Sequence, residues 1–126
     1  MNMYLDEVLN AHTVIENWLG KGAGDLQGLL CRFSPRFSMI TPAGSTMDHE
    51  ALSRLFTAQR NGRPGLAIHI DSMVLLEEWP EGAVVTYRER QHAPQSGTTL
   101  RRSTAVFVLE NGRLAWRHLH ETWERN

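Results

Sequence analysis

The stretch Arg113-Leu114-Ala115-Trp116-Arg117-His118-Leu119-His120-Glu121-Thr122-Trp123 decides how the rest of the chain is read. Trp116, His118, His120 and Thr122 fall two residues apart, so in a β-strand, whose side chains alternate faces, all four are expected on one side of a sheet. Glu121 and Trp123 then fall on the other. A solvated face rarely collects tryptophan, so both faces of this strand should be covered by something.

Working back from that strand, Asn111-Gly112 favours a two-residue type I′ hairpin, which joins it to a strand over Thr98–Leu109. Pro94-Gln95-Ser96-Gly97 and Pro80-Glu81-Gly82 set off two earlier strand candidates, Ala83–His92 and Leu66–Glu78. Four strands linked by tight turns run as a continuous antiparallel meander. With a two-residue loop at Asn111, Glu110 pairs with Arg113, Phe107 with Trp116, Ala105 with His118, Ser103 with His120, and Arg102 with Glu121 as an opposite-charge pair. A three-residue loop would shift every partner by one.

Before Leu66 the apolar period is helical. Met3–Leu19 carries Leu5, Val8, Leu9, His12, Ile15 and Leu19 on one stripe, with Asp6 and Glu7 in the first turn and Gly20 as terminator. His12 lies inside that stripe, where a histidine serves as a core-edge residue bonded to a backbone group or looks into a cavity under the helix. Asp25 caps a short second helix from Leu26 to about Phe33, stopped by Pro35. A brief strand, Arg36–Thr41, precedes a third helix capped by Asp48 and ended near Gly62 and Pro64. Gly20-Lys21-Gly22-Ala23-Gly24 follows a helix rather than a strand and reads as a turn, not a phosphate loop.

Length and composition exclude several function classes. The chain has 126 residues, so residues 1–126 are expected to form one domain with one core. No run approaches the roughly 18 apolar residues of a membrane span, so no membrane partner is expected. The first residues are acidic and lack the basic and apolar regions of a secretory signal, which makes a cytoplasmic location the expectation. The formal net charge of −1 offers no basic surplus for nucleic acid. The single cysteine, Cys31, rules out an internal disulfide, and its apolar surroundings read as those of a small buried hydrophobe. Arg60-Asn61-Gly62-Arg63 reads as a polar helix exit.

The order helix, helix, strand, helix and four long antiparallel strands resembles the nuclear transport factor 2-like superfamily, with SnoaL-like polyketide cyclases, ketosteroid isomerase and scytalone dehydratase among its members. The residues that carry the resemblance are Phe37-Ser38-Met39-Ile40-Thr41-Pro42-Ala43-Gly44, Tyr87-Arg88-Glu89-Arg90-Gln91, Arg102-Ser103-Thr104 and Trp116 through Trp123. The last looks like the W-x-x-x-H ending of small SnoaL-like proteins and of the calmodulin-dependent kinase association domain. The resemblance covers nearly the whole chain. It implies a cone-shaped, cystatin-like α+β fold in which three helices pack on a strongly curved antiparallel sheet and enclose a pocket that dimerisation closes on its outer side. Since three helices can cover only one sheet face, a homodimer through the sheet is expected from the residues as well.

Three readings of the titratable residues stand side by side. In the first, the pocket performs cofactor-free acid–base chemistry (isomerisation, dehydration or cyclisation) on a small apolar carbonyl compound, with Glu89, His118 and His120 as proton carriers and Tyr87 as an oxyanion donor. Met39, Arg102, Trp116 and Glu121 then form the binding set. In the second, the protein is a non-catalytic ligand-binding or oligomerisation module whose His, Glu and Arg groups form a structural network, with Trp18 and Met73 among the apolar walls. In the third, His118-x-His120 binds a metal, but a catalytic zinc needs a third ligand, and His69, Glu89 and His92 have no defined spacing to supply it. No metal and no cofactor is expected.

Overall fold

A computed structural model describes residues 2–125. Helix α1 spans Met3–Lys21, α2 Leu26–Leu30 and α3 His49–Ala58, while β1 runs over Phe33–Ile40, β2 Thr46–Asp48, β3 Ala67–Trp79, β4 Gly82–Ala93, β5 Gly97–Glu110 and β6 Arg113–Trp123. The strands form one sheet in the order β2-β1-β6-β5-β4-β3. The fold is α+β, as expected, and the meander β3-β4-β5-β6 is antiparallel throughout. The sheet as a whole is mixed, because β1 joins β6 in parallel.

Local chemistry explains the element ends. Asn2 caps α1, its side chain accepting from the Tyr4 and Leu5 amides. The helix runs past Gly20 and stops at Gly22, whose φ of 68° lets its N–H turn back to the Asn17 and Trp18 carbonyls. Asp48 caps α3 through the Ala51 amide at 2.9 Å. The expected second helix is shorter than its apolar run, because Phe33 already belongs to β1, and Pro35 sits inside that strand where the pairing with β6 is irregular. Cys31, expected to be buried, is exposed at the end of α2.

The helices cover one face of the sheet. Tyr4, Val8, Ala11 and Trp18 point from α1 into the core, a stripe turned from the expected one so that Leu9 is left at the surface. Trp18 Nε1 donates to the Phe56 carbonyl at 2.8 Å and ties α1 to α3. From the sheet, Ala83, Val85, Ala105, Phe107, Trp116 and Leu119 complete the core. Phe107 and Trp116 meet edge to face at 4.6 Å, a favourable geometry for aromatic pairs.

One irregularity governs everything downstream. The hairpin at Asn111-Gly112 forms as expected, with φ of 53° and 76°, and Glu110 pairs with Arg113 and Phe107 with Trp116. Beyond that pair Val106 faces His118, so Arg117 is an extra residue in β6, a β-bulge. The expected partners Ala105–His118, Ser103–His120 and Arg102–Glu121 are therefore each displaced by one. Ala105 pairs with Leu119, Ser103 with Glu121 and Arg101 with Trp123. The bulge also breaks the alternation: Trp116, Leu119, Glu121 and Trp123 share the helix-covered face, and His118, His120 and Thr122 turn to the back.

Candidate active site under the first helix

The bulge brings titratable groups together at one end of the covered face. Tyr87, Glu89 and Gln91 follow one another on the inner side of β4, opposite Ser103, Arg101 and Thr99 of β5, while Glu121 and Trp123 of β6 stand opposite Ser103 and Arg101. From above, His12 of α1 reaches down until its Nε2 lies 3.1 Å from Glu89 Oε1. His12 is 6 % exposed and Glu89 2 %.

A cavity of about 360 Å³ opens beside this cluster. Its walls are apolar, including Ile15, Phe37, Met39, Met47, Leu52 and Phe56, and its polar end is formed by His12, Glu89, Gln91, Arg101 and Glu121. An apolar hollow with a few convergent polar groups is the usual form of a small-molecule site. A larger, open groove of about 1100 Å³ runs between α2, α3 and the β5–β6 turn. It holds no buried acid–base pair, and its carboxylate Glu110 is occupied by Ser34 and Arg36.

Hydrogen-bond chemistry fixes where the protons sit. The Val8 carbonyl can only accept, so His12 Nδ1, 2.7 Å away, must donate to it, and Nε2 is left as the titrating nitrogen. Arg63 can only donate, so its bond to Gln91 turns the amide oxygen toward the guanidinium and the Nε2 amine toward Glu89 Oε2, at 2.5 Å. Glu89 Oε2 is thus an acceptor, and Oε1 faces His12. His12 Nε2 and Glu89 Oε1 are therefore the two atoms between which a proton can pass, and two neighbours that cannot exchange roles, the Val8 carbonyl and Arg63, set that arrangement. Burial pushes the His12 pKa down, but the charge and hydrogen bond of Glu89 outweigh it, and the net shift is upward. Burial likewise pushes Glu89 up, and His12 and Gln91 pull it down to about 2. Both shifts favour imidazolium with carboxylate over the neutral pair.

Glu121 behaves in the opposite way. Burial and the nearby Glu89 charge raise its pKa, although Arg101 Nη1 donates to Oε1 at 3.1 Å. Arg101 also lies over the Trp123 ring, 4.8 Å from its centroid. Burial, Glu89 and Glu121 hold the Tyr87 hydroxyl well above its ordinary pKa, so it stays a neutral donor. Among the described residues, Tyr87 Oη, Glu89 Oε1, Arg101 Nε and Ser103 Oγ are buried without an aligned hydrogen-bond partner.

The expected site residues therefore divide. Met39, Glu89 and Glu121 line the cavity, and Tyr87 and Trp116 are buried beside it, each ring edge-on to His12 at 5.4 and 6.0 Å. Trp116 Nε1 is bound to Glu7 at 3.0 Å. His118, His120 and Arg102 lie on the back of the sheet, separated from Glu89 by the sheet itself. There Ser38 holds His118 at 2.7 Å, and burial, His120 and Arg117 lower its pKa. Arg102 pairs with Glu124 rather than Glu121. Among the described residues no group of three or more metal-ligating side chains is assembled, and no helix is long and apolar enough to cross a membrane.

Sequence reasoning left His12, Arg63, Gln91 and Arg101 out of the site. His12 carried the one available signal, a titratable residue inside an apolar stripe. Arg63 and Arg101 carried none, because their placement depends on a loop crossing and on the bulge.

Comparison with known proteins agrees with this architecture. No protein-family model matches the sequence, and no curated protein matches it. Among solved structures, an NTF2-like protein of unknown function from Pseudomonas aeruginosa is 41% identical, with a TM-score of 0.92 over 97% of this chain and 98% of that one. A proposed dehydratase of the NTF2-like family from Streptomyces avermitilis matches with a TM-score of 0.73 at 14% identity, covering 97% of both chains. The association domain of CaMKII from C. elegans matches with a TM-score of 0.71 at 14% identity over 94% of both. At that identity the last two share the fold alone, which is cystatin-like.

Proposed function

Because the chain belongs to the nuclear transport factor 2-like family, whose fold carries both enzymes and assembly modules, we propose from its site that it binds a small, mostly apolar carbonyl compound and moves a proton on it without a cofactor. The observation that carries this reading is the His12–Glu89 pair, enclosed at the polar end of an apolar cavity. A general acid must carry its proton when substrate arrives, and the Glu89 carboxylate raises the pKa of His12. Nε2 then gives its proton to the carbonyl oxygen as the adjacent C–H bond breaks. A carboxylate held near 2 is a weak base, so Glu89 acts by positioning and charging His12. Glu121, raised by burial and by Glu89, is better matched to accept the carbon-bound proton. The product of that step is an enol, from which isomerisation or loss of a β-hydroxyl follows.

Enolisable ketones that bind the protein provide the test, with α-proton exchange in deuterated water followed by NMR. His12→Gln and Glu121→Gln should each slow exchange by roughly a hundredfold or more while ligand affinity changes little. Exchange in the wild type no faster than in buffer, for ketones shown to bind, would remove the catalytic reading. The remaining reading would be a ligand-binding or oligomerisation module with a structural His/Glu/Arg network, which the low Glu89 pKa favours.

A second copy covering the back of the sheet completes the proposal. Val74 and Leu76 on β3 are 51% and 61% exposed, and Val84 and Val106 face each other on the back, next to His118. Apolar side chains placed together on an uncovered sheet face mark an interface.

A further inference from the structure

The loop between α3 and β3 is bound to the end of the helix that carries His12. The Trp18, Leu19 and Gly20 carbonyls of α1 accept from the Asn61, Arg63 and Gly65 amides at 2.9, 3.0 and 3.1 Å. Carbonyls in a last turn are short of partners within the helix, and here they hold the loop in place. The approach is close, since a Cβ on Gly20 would lie 3.1 Å from the Leu66 carbonyl oxygen. From this loop the half-buried Arg63 side chain reaches across to the sheet, where Nη1 donates to Gln91 Oε1 and Nη2 to Ser96 Oγ at 3.4 Å. Burial and the neighbouring Arg101 charge disfavour a guanidinium there, and Glu89 favours it. His12, Glu89 and Gln91 line the cavity and Arg63 does not, so what Arg63 does for the site it does through Gln91.

A side-chain amide can be turned either way, presenting its oxygen or its nitrogen to a given neighbour. Arg63 only donates, so it takes the oxygen, and Gln91 Nε2 is left to donate to Glu89 Oε2 at 2.5 Å. Without the guanidinium the amide is free to turn its oxygen toward Glu89, which sets two acceptors against each other. From the braced loop and the one-way run of donors, we infer that Arg63 is a positioning residue: by fixing Gln91 it holds Glu89 as the carboxylate that receives His12, and it ties that carboxylate to the helix that delivers the imidazole. The inference rests on His12–Glu89 being the working pair proposed above and adds the residues that set it. It does not depend on whether a bound molecule is turned over.

The test is proton–nitrogen NMR of the full-length protein, with the Gln91 side-chain amide assigned by its disappearance in Gln91→Met. In the wild type one proton of that amide should lie downfield and exchange slowly with water. Arg63→Lys, still only a donor, should keep this signature. Arg63→Gln, which also accepts, should lose it, with exchange at least about tenfold faster, the factor expected of one hydrogen bond. A carboxyl NMR titration reads the consequence: Arg63→Gln and Gln91→Met should raise the Glu89 midpoint by about one pH unit or more, and Arg63→Lys should not. The other groups that act on Glu89, which are His12 from α1, Arg101 from β5, Glu121 from β6 and Tyr87 on its own strand, are the same in all three variants. If Arg63→Gln is poorly folded, Gln91→Met and Arg63→Lys carry the test, since the first keeps the backbone bonds of the loop and the second keeps the donor. An amide signature that survives in Arg63→Gln, one that is lost in Arg63→Lys, or a Glu89 midpoint unmoved in Gln91→Met overturns the inference. Absent α-proton exchange with the amide signature intact counts against catalysis alone, so the two failures are distinguishable.

Discussion

The His12–Glu89 pair makes a definite claim about stability as well as chemistry. Removing one member of a buried ion pair leaves the other charge without a partner, which typically costs about 3–5 kcal/mol. Glu89→Gln and His12→Gln should each destabilise the protein on that scale, and the double variant by less than their sum, as chemical denaturation at pH 6 would show. The pH dependence follows from the two shifts. Glu89 titrates near 2 rather than 4.5, so its contribution is present above pH 4.5 and is lost as the pH falls from there toward 2. His12 is raised above 6.5, so its contribution is present below 6.5 and is lost as the pH rises through the raised value. The stability difference between wild type and Glu89→Gln should therefore be largest between pH 4.5 and 6.5. A difference that grows steadily toward alkaline pH would mean that the pair is not charged at rest.

At the scale of an element, the last strand shows how one residue redistributes function. Strand parity read from Arg113–Trp123 placed Trp116 with His118 and His120, and the inserted Arg117 separates them. A residue that pairs with nothing leaves little trace in hydrophobic alternation, and Trp116-Arg117-His118-Leu119 reads as regular unless the third dimension is known. The turn at Asn111-Gly112, by contrast, was legible because only residues tolerant of positive φ satisfy a type I′ hairpin. Deleting Arg117 should remove the bulge without turning any later side chain over, since Val106 still faces His118 and Ser103 still faces Glu121, so Glu121 and Trp123 keep the covered face and only the bend and extra twist that the bulge gives the strand are lost. Arg117→Ala, which keeps the bulge and loses a hydrogen bond to the Arg36 carbonyl, should cost only about 1 kcal/mol. Thermal denaturation of the two variants checks this, and a much lower melting temperature for the deletion than for Arg117→Ala would show that the bend itself is needed to seat the strand under the helices.

At the scale of the whole molecule, the sheet separates two chemistries. The helix side holds the cavity and its four-group charge network; the back holds valines, threonines, His118, His120 and the Arg88–Asp71 and Arg102–Glu124 pairs. Val74→Glu places a charge at an exposed position, so it should leave the monomer's melting temperature nearly unchanged while converting a dimer to monomer in sedimentation equilibrium. A wild-type protein that sediments as a monomer would refute pairing through this face.

The sequence by itself determined the α+β class, the helix caps at Asp25 and Asp48, the four-strand meander and its hairpins, because each depends on residues close together in the chain. It also placed Met39, Glu89 and Glu121 among the residues that line the cavity. Only the tertiary structure decided which titratable groups meet. His12 comes from a helix, Arg63 from a loop, Gln91 and Arg101 from neighbouring strands and Glu121 from beyond a bulge, and long-range packing and register, which no local pattern encodes, bring them into one network.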